Sequence, residues 1–132
     1  EFCLKGIMSK EDARRAIEIG CTGIVISNHG GRQLDGSRSS FDQLKEIMDE
    51  VGDEIDVLFD SGVQRGTHVL KALSLGAKAV GIGRMYLYPL AAAGQPGVER
   101  ALGLMHAELE RGMKLMGKTA INQLNHQNLR FR

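Results

Sequence analysis

Two kinds of segment alternate along this chain, and their alternation restricts the possible fold more than any other feature of the sequence. Short β-branched runs such as Thr22–Ser27 (TGIVIS) and Ile55–Phe59 (IDVLF) have the pattern of strands buried on both faces. Segments with apolar residues at helical spacing, such as Phe41–Val51, lie between them. Strands joined by helices run parallel in one α/β sheet. The sequence predicts four strands, each followed by a helix.

Several residues predict where these elements begin and end. Ser9 has the character of a helix N-cap, and Gly20 suits the stop of the same helix. Thr67 is predicted to cap the third helix, and residues 79–82 to form the fourth strand. After a stretch broken by Pro and Gly, a long helix is predicted over Val98–Met116.

The chain also contains an internal sequence repeat. Residues 16–27 resemble residues 72–83, and each copy has a helix end, a Gly, a two-residue step and a buried strand. Repetition of βα units is typical of a (β/α)₈ barrel or a doubly wound sheet.

Composition excludes several classes of function. A net charge of +1 gives no field of one sign to attract nucleic acid. No apolar run approaches the roughly 18 residues that a membrane span needs. Two cysteines, Cys3 and Cys21, are too few for a disulfide framework or a zinc site, so no metal is expected. A reducing, cytoplasmic compartment fits best. Attachment to a membrane, or a mitochondrial or peroxisomal location, would depend on sequence before Glu1.

Polar and glycine-rich residues follow all four predicted strands, at positions 5–6, 27–35, 60–66 and 83–84. Ligands of parallel α/β folds bind at the carboxyl ends of the strands. The four ends therefore predict one site at one edge of the sheet.

The glycines at these ends favour an anion site. Gly62, Gly66 and Gly83, with Arg84, would let backbone N–H groups approach a phosphate, helped by the dipole of the third helix. The alternative is that the glycines serve only tight turns. No G-x-G-x-x-G or Walker pattern is present, so a dinucleotide fold is not supported.

His29 is the best candidate for a base, because histidine titrates near neutral pH and the adjacent glycines leave space beside it. Arg32 can grip a carboxylate with two hydrogen bonds. A structural role for His29 is the alternative. The other histidines, His68, His106 and His126, are interpreted as non-catalytic.

The motif S-N-H-G-G-R-Q-L-D (Ser27–Asp35) resembles the signature of the FMN-dependent α-hydroxy acid dehydrogenases and oxidases, a family that includes glycolate oxidase and L-lactate dehydrogenases. Further matches follow in the family's order: L-K-G at 4–6, D-S-G-V-Q-R-G at 60–66 and G-I-G-R at 81–84. The resemblance covers nearly the whole chain and weakens after about Gly117.

The resemblance implies a role for each matched residue. His29 would be the base and Arg32 would bind the substrate carboxylate. The FMN contacts would be Lys5 near the flavin ring, Asp60 at the ribityl chain, Gly62, Gly83 and Arg84 at the phosphate, and Ser27 and Gln64. The reaction would oxidise an L-2-hydroxy acid such as lactate, glycolate or mandelate to the 2-oxo acid. His29 would take a proton either from the hydroxyl or from Cα.

The sequence departs from the family's usual pattern at four positions. Gln64 replaces the usual phosphate-facing Arg, Ser61 a Gly, His68 an Asp, and Met85 a Pro.

The family uses eight βα units, whereas this chain has four, which would correspond to the fifth to eighth strands. Residues 1–132 are therefore expected to form one partial domain, the C-terminal half of a TIM (β/α)₈ barrel. The fragment alone is expected to be inactive. The complete protein is expected to be a homo-oligomer that passes electrons to oxygen, a quinone or a cytochrome. One alternative is a non-catalytic half-barrel that self-associates or needs an N-terminal half. Another is an unrelated phosphate-binding barrel, such as an isomerase.

Overall fold

The computed structural model describes residues 2–130. Within them, strands and helices alternate as the sequence predicts. The elements are β1 (Cys3–Ile7), α1 (Lys10–Glu18), β2 (Gly23–Ile26), α2 (Ser40–Val51), β3 (Asp56–Phe59), α3 (Gly66–Ser74), β4 (Ala79–Val80) and α4 (Arg84–Leu115), with 3₁₀ turns at His29–Gly31, Ile121–Gln123 and His126–Asn128.

The strands form one parallel sheet in the order β1-β2-β3-β4. This order confirms the predicted α/β class. Lys5, Val25, Leu58 and Ala79 lie side by side across the four strands. The pairing of β1 with β2 shifts register between Lys5 and Ile7, where Gly6 has a φ of +100°.

The two faces of the sheet have different surroundings. Ile24, Ile26, Val57 and Phe59 are buried against the helices, and the core continues into α1, α2 and α3. On the opposite face, Val25 and Leu58 are half-buried and Ala79 is exposed. Within residues 2–130, this second face, called the open face below, is only partly covered, whereas the strands of a parallel sheet are normally buried on both sides.

The predicted boundaries of the first helix are confirmed. The Ser9 hydroxyl accepts a hydrogen bond from the Asp12 backbone N–H at 3.1 Å, and Gly20 has a φ of +88°. The predicted Thr67 cap is wrong, because α3 begins at Gly66 and has no capping side chain at its N-cap residue. The fourth strand is also shorter than predicted.

Helix α4 begins earlier than the sequence predicts. It starts at Arg84, directly after the fourth strand end, and is interrupted at Ala93 and Gly94, where Gly94 has φ +61° and ψ −144°. Pro96 lies in the first turn after the interruption, where a missing N–H costs little. The proline and glycine residues therefore split a helix rather than preventing one. Over residues 2–130, none of the helices combines the length and hydropathy required to span a bilayer.

Candidate functional site

Three polar side chains meet at the carboxyl ends of β1, β2 and β3. Ser27 and Asp60 lie two residues beyond Val25 and Leu58, and side chains two residues apart along a strand share a face. They therefore lie on the open face, where Lys5 also lies. The Lys5 Nζ is 3.2 Å from Asp60 Oδ2 and donates to Ser27 Oγ at 3.0 Å.

The Asp60 carboxylate is stabilised by this cluster. Burial on its own would raise the pKa of Asp60, but hydrogen bonds from Ser27, Ser61 and Lys5, together with the Lys5 charge, lower this pKa below its ordinary value. The side chain of Asp60 is 23% exposed. Asp60 therefore stays ionised and pairs with Lys5 at neutral pH.

Ser61 connects Asp60 to the loop that follows β2. Its hydroxyl donates to Asp60 Oδ1 at 2.8 Å, accepts from the Gly30 N–H at 3.1 Å, and lies 3.3 Å from Ser27 Oγ. Its backbone has a φ of +84°, a region that non-glycine residues rarely adopt. Sequence reasoning noted Ser61 only as a departure from glycine and missed these contacts.

His29 lies in the 3₁₀ turn and has a φ of +57°. Its backbone N–H donates to Ser27 Oγ at 3.1 Å. The Asn28 Oδ1 accepts from the Gly30 and Gly31 N–H groups at 3.0 and 3.2 Å and so closes the turn from within. This Asx-type turn presents the His29 side chain outward.

The His29 ring lies directly above Gly6. A Cβ added at Gly6 would stand 2.8 Å from His29 Cε1, so any other residue would displace the ring. Within residues 2–130, neither ring nitrogen of His29 has a hydrogen-bond partner. His68 differs, because its Nδ1 accepts the Gln64 N–H at 3.3 Å. Both ring nitrogens of His29 are therefore available for a hydrogen bond with a ligand.

Two arginines flank His29. Arg32 is exposed beyond the turn. Arg84, at the start of α4, donates from Nη2 to the Gly30 carbonyl at 2.7 Å, and a Cβ at Gly30 would collide with this guanidinium. The side chains of Arg32 and Arg84 thus line the same cavity as His29.

Backbone N–H groups provide an anion cradle beside Arg84. Gly62 has a φ of +72°, and a Cβ added at Gly62 or Gly83 would meet no atom within 4 Å. In the described part of the chain, no backbone carbonyl accepts from the N–H groups of Gly62, Val63 or Gly83. The open approach, the free donors and the Arg84 charge fit a phosphate group.

The N-terminus of α3 does not contribute to this cradle, contrary to the prediction. The Gly66 N–H donates to Glu108 Oε2 at 2.7 Å, and Arg65 Nε donates to Glu108 Oε1 at 2.9 Å. The Arg65 hydrogen bond in particular holds the pKa of Glu108 below its usual value. A carboxylate from α4 therefore already occupies this helix end.

These groups surround one cavity of about 470 Å³. Of the nine predicted site residues, Ser27 is 1% exposed and lies beneath the others. The other eight line the cavity: Lys5, His29, Arg32, Asp60, Gly62, Gln64, Gly83 and Arg84. Tyr88 and Met85 also line it, and sequence reasoning missed them as site residues because it predicted no helix over this stretch.

A free histidine, a guanidinium and an anion cradle at the carboxyl ends of parallel strands are typical of an anion-binding site in an α/β fold. The comparisons with known proteins agree with this class. The model of the FMN-dependent dehydrogenase family matches residues 1–131. The chain belongs to this family, whose cofactor is FMN.

Individual relatives support the assignment. The chain is 50% identical over 127 residues to an FMN-dependent alpha-hydroxy acid dehydrogenase, qulF, of Penicillium citrinum, covering 96% of this chain and 32% of that protein. It is 48% identical over 126 residues to the L-lactate dehydrogenase (cytochrome) of Saccharomyces cerevisiae, covering 92% and 21%. A solved (S)-mandelate dehydrogenase superposes with a TM-score of 0.93 at 42% identity, covering 98% and 36%.

The chain thus spans about a third or less of the length of these relatives. The matched solved structures are TIM-barrel flavoenzymes. The open face of the sheet corresponds to the interior of such a barrel. This explains why apolar side chains such as Leu58 and polar side chains such as Lys5 and Asp60 lie on the same face.

We predict that Lys5→Met raises the pKa of Asp60, because the variant loses an opposite charge and a hydrogen bond while the burial remains. Titration of the Asp60 carboxyl carbon by NMR measures this pKa. A depressed pKa stabilises the fold above the unfolded-state value of about 3.9, and this contribution is lost as the pH falls through the folded-state value. The stability of Lys5→Met should therefore vary less across that acid range.

Lys78→Met is the matched control, since Lys78 pairs with the exposed Asp56 at 3.6 Å and does not contact Asp60. An Asp60 pKa that is the same in Lys5→Met and in the unmodified protein would contradict the proposed electrostatics.

Proposed function

We propose that the protein oxidises an L-2-hydroxy acid to the corresponding 2-oxo acid, with FMN as the electron acceptor, in a barrel that further βα units complete. The observation that carries this proposal is the His29 ring, which has no hydrogen-bond partner within residues 2–130 and faces the same cavity as Arg32 and the anion cradle. Family membership supports the same chemistry.

His29 would act as the base. Its exposed ring can accept a proton from the substrate at a ring nitrogen without first breaking an internal hydrogen bond. The Gly6 surface fixes one side of the ring, and the hydrogen bond from its own backbone N–H to Ser27 fixes the base of the side chain. Two routes exist, with the substrate proton leaving either the hydroxyl or Cα, and both require the same proton acceptance by His29.

Arg32 would bind the substrate carboxylate. Its planar guanidinium is exposed to the cavity and can form two parallel hydrogen bonds to a carboxylate. It follows His29 by three residues, at the end of the same turn. The turn would therefore hold the acid group and the base at a fixed separation.

The cradle of Gly62, Gly83 and Arg84 would hold the FMN phosphate, with Asp60 at the ribityl chain and Lys5 beside the flavin ring. Bound FMN would supply the capacity to take up the two electrons that leave the substrate. Gln64 lines the same cavity but carries no charge. Arg84 is therefore the main charged residue at the phosphate end, and Lys5 would stabilise negative charge near the ring.

The substrate acid and the final electron acceptor are proposed only as chemical classes. The names of the matched relatives specify lactate in one case and mandelate in another, and one of them specifies a cytochrome. We infer a small 2-hydroxy acid and an acceptor that is oxygen, a quinone or a cytochrome. We also infer a homo-oligomer for the complete enzyme.

The test joins this chain to the part of (S)-mandelate dehydrogenase that lies outside the matched segment, which supplies the remaining strands. The hybrid should bind FMN and lose flavin absorbance when a hydroxy acid is added without oxygen. His29→Gln should keep the flavin but slow the bleaching by at least about a hundredfold, because the base is lost. Stopped-flow absorbance measures the rate.

His106→Gln provides the control, since His106 is an exposed residue on α4 outside the cavity. Bleaching at an undiminished rate in His29→Gln would exclude His29 as the base.

A second candidate function follows from the open sheet face, where Leu58 and Val25 are half-buried. The chain by itself would act as a non-catalytic half-barrel that associates with other copies to cover this face. Sedimentation velocity should show oligomers that grow with concentration. Leu58→Glu should shift them to monomer, because a charge then lies on the apolar face.

Leu115→Glu is the matched control, as Leu115 is already 83% exposed on α4. A chain that stays monomeric at all concentrations, and retains FMN, would contradict this second candidate.

A further inference from the structure

The loop that carries His29 is held in an unfavourable conformation. His29 has a φ of +57°, and the Gly30 and Gly31 that follow are both at +71°. Residues other than glycine adopt this region at a cost in free energy and persist in it only where surrounding contacts hold them. Two consecutive glycines would otherwise allow the turn to relax. The contacts that hold the turn therefore decide where the His29 ring lies.

The groups that hold the turn are not equivalent. Asn28 belongs to the turn and is itself held by the segment that leads into α2, because its backbone N–H donates to Ser40 Oγ at 2.9 Å and its Nδ2 donates to the Arg38 carbonyl at 3.2 Å. Arg84 donates a hydrogen bond to the Gly30 carbonyl. Because Arg84 is also the proposed phosphate ligand, a bound anion would compete with this carbonyl for the guanidinium. The hydroxyls of Ser27 and Ser61 remain, and both come from the ends of sheet strands. Ser61 is the one that reaches across from the end of β3.

Counting donors and acceptors fixes the direction of these hydrogen bonds. Ser27 Oγ accepts from Lys5 Nζ and from the His29 N–H, which uses both of its lone pairs. Its own hydrogen is then available to the Asp60 carboxylate and to Ser61 Oγ, which lies 3.3 Å away. Ser61 Oγ also accepts from the Gly30 N–H, so its own hydrogen goes to Asp60 Oδ1. The chain of hydrogen bonds runs one way, from the His29 turn to the Asp60 carboxylate.

Ser61 itself is strained, with a φ of +84° that would suit glycine better. Nothing in its backbone position requires a side chain. The hydroxyl, however, makes the cross-loop contacts just described, and a glycine would lose all of them. The retained strain therefore points to a function for the hydroxyl.

We propose that Ser61 is a positioning residue for His29, whose hydroxyl anchors the turn of the base to the Asp60–Lys5 pair and holds the ring in place when Arg84 is engaged by an anion. This inference rests on the proposed role of His29 as the base. It assigns the anchoring to a residue outside the turn, and it makes the position of the base depend on the ion pair at the neighbouring strand ends.

The test compares Ser61→Gly with Ser61→Ala in the flavin-free chain, with inorganic phosphate added so that an anion engages Arg84. Both variants lose the hydroxyl, but only alanine keeps the left-handed strain, so Ser61→Gly should melt about 3 °C or more above Ser61→Ala. Both should release the turn equally. The backbone order parameters of His29 and Gly30 should fall from about 0.85 to below about 0.6 in both variants, and the His29 ring resonances should move toward those of an unconstrained histidine.

Ser9→Ala is the control for a general loss of stability, because Ser9 also contributes one serine hydrogen bond, to the Asp12 N–H at the start of α1. It should lower the melting temperature and leave the His29 signals unchanged. If Ser61→Ala does not fold, Ser61→Gly alone decides the question, since its backbone strain is relieved.

Order parameters and ring signals of His29 in Ser61→Gly that match those of the unmodified chain would overturn the proposal. So would the same change in Ser9→Ala, because the effect would then follow stability rather than the anchor. These measurements involve no flavin and no oxidation. Failure of the His29→Gln test would therefore remove the catalytic role, whereas failure here would remove only the anchor.

Discussion

The ion pair of Lys5 and Asp60 organises the candidate site. It joins the first and third strands at their carboxyl ends, at a distance of 3.2 Å, on the half-buried face of the sheet. The side chains of Ser27 and Ser61 bond to this pair and then to the backbone of the His29 turn. A charge pair placed by strand register is thus connected by hydrogen bonds to the loop that follows the strand between them.

The same structure separates two sites for negative charge. At the start of α3, the Glu108 carboxylate occupies the free N–H of Gly66 and pairs with Arg65. At the start of α4, the N–H groups around Gly83 and the guanidinium of Arg84 face the cavity. The Glu108 carboxylate therefore occupies the N-terminus of α3, whereas the N-terminus of α4 stays open to an anionic ligand. The neutral Gln64 leaves Arg84 to carry most of the charge on the ligand side.

Much of this arrangement could be predicted from the sequence, because strand period and strand-end position are local signals. The parallel order and the gathering of Lys5, His29 and Asp60 at one edge followed from four strands ending in polar residues. The Glu108 contact could not be predicted, since it joins α3 and α4 across 42 residues. The role of Ser61 depends on a left-handed φ, and no residue pattern around it signals that conformation. The early start of α4 was missed because Gly94 and Pro96 interrupt the helix without ending it.

A crystal structure of the hybrid barrel with FMN and a 2-oxo acid bound would test the candidate site most directly. We expect the FMN phosphate to accept hydrogen bonds from the N–H groups of Gly62 and Gly83 and from Arg84. The acid's carboxylate should lie on Arg32, with its 2-oxygen about 2.6–3.2 Å from a ring nitrogen of His29. A phosphate at the start of α3 with Glu108 displaced, or an acid bound away from Arg32 and His29, would contradict the proposed site.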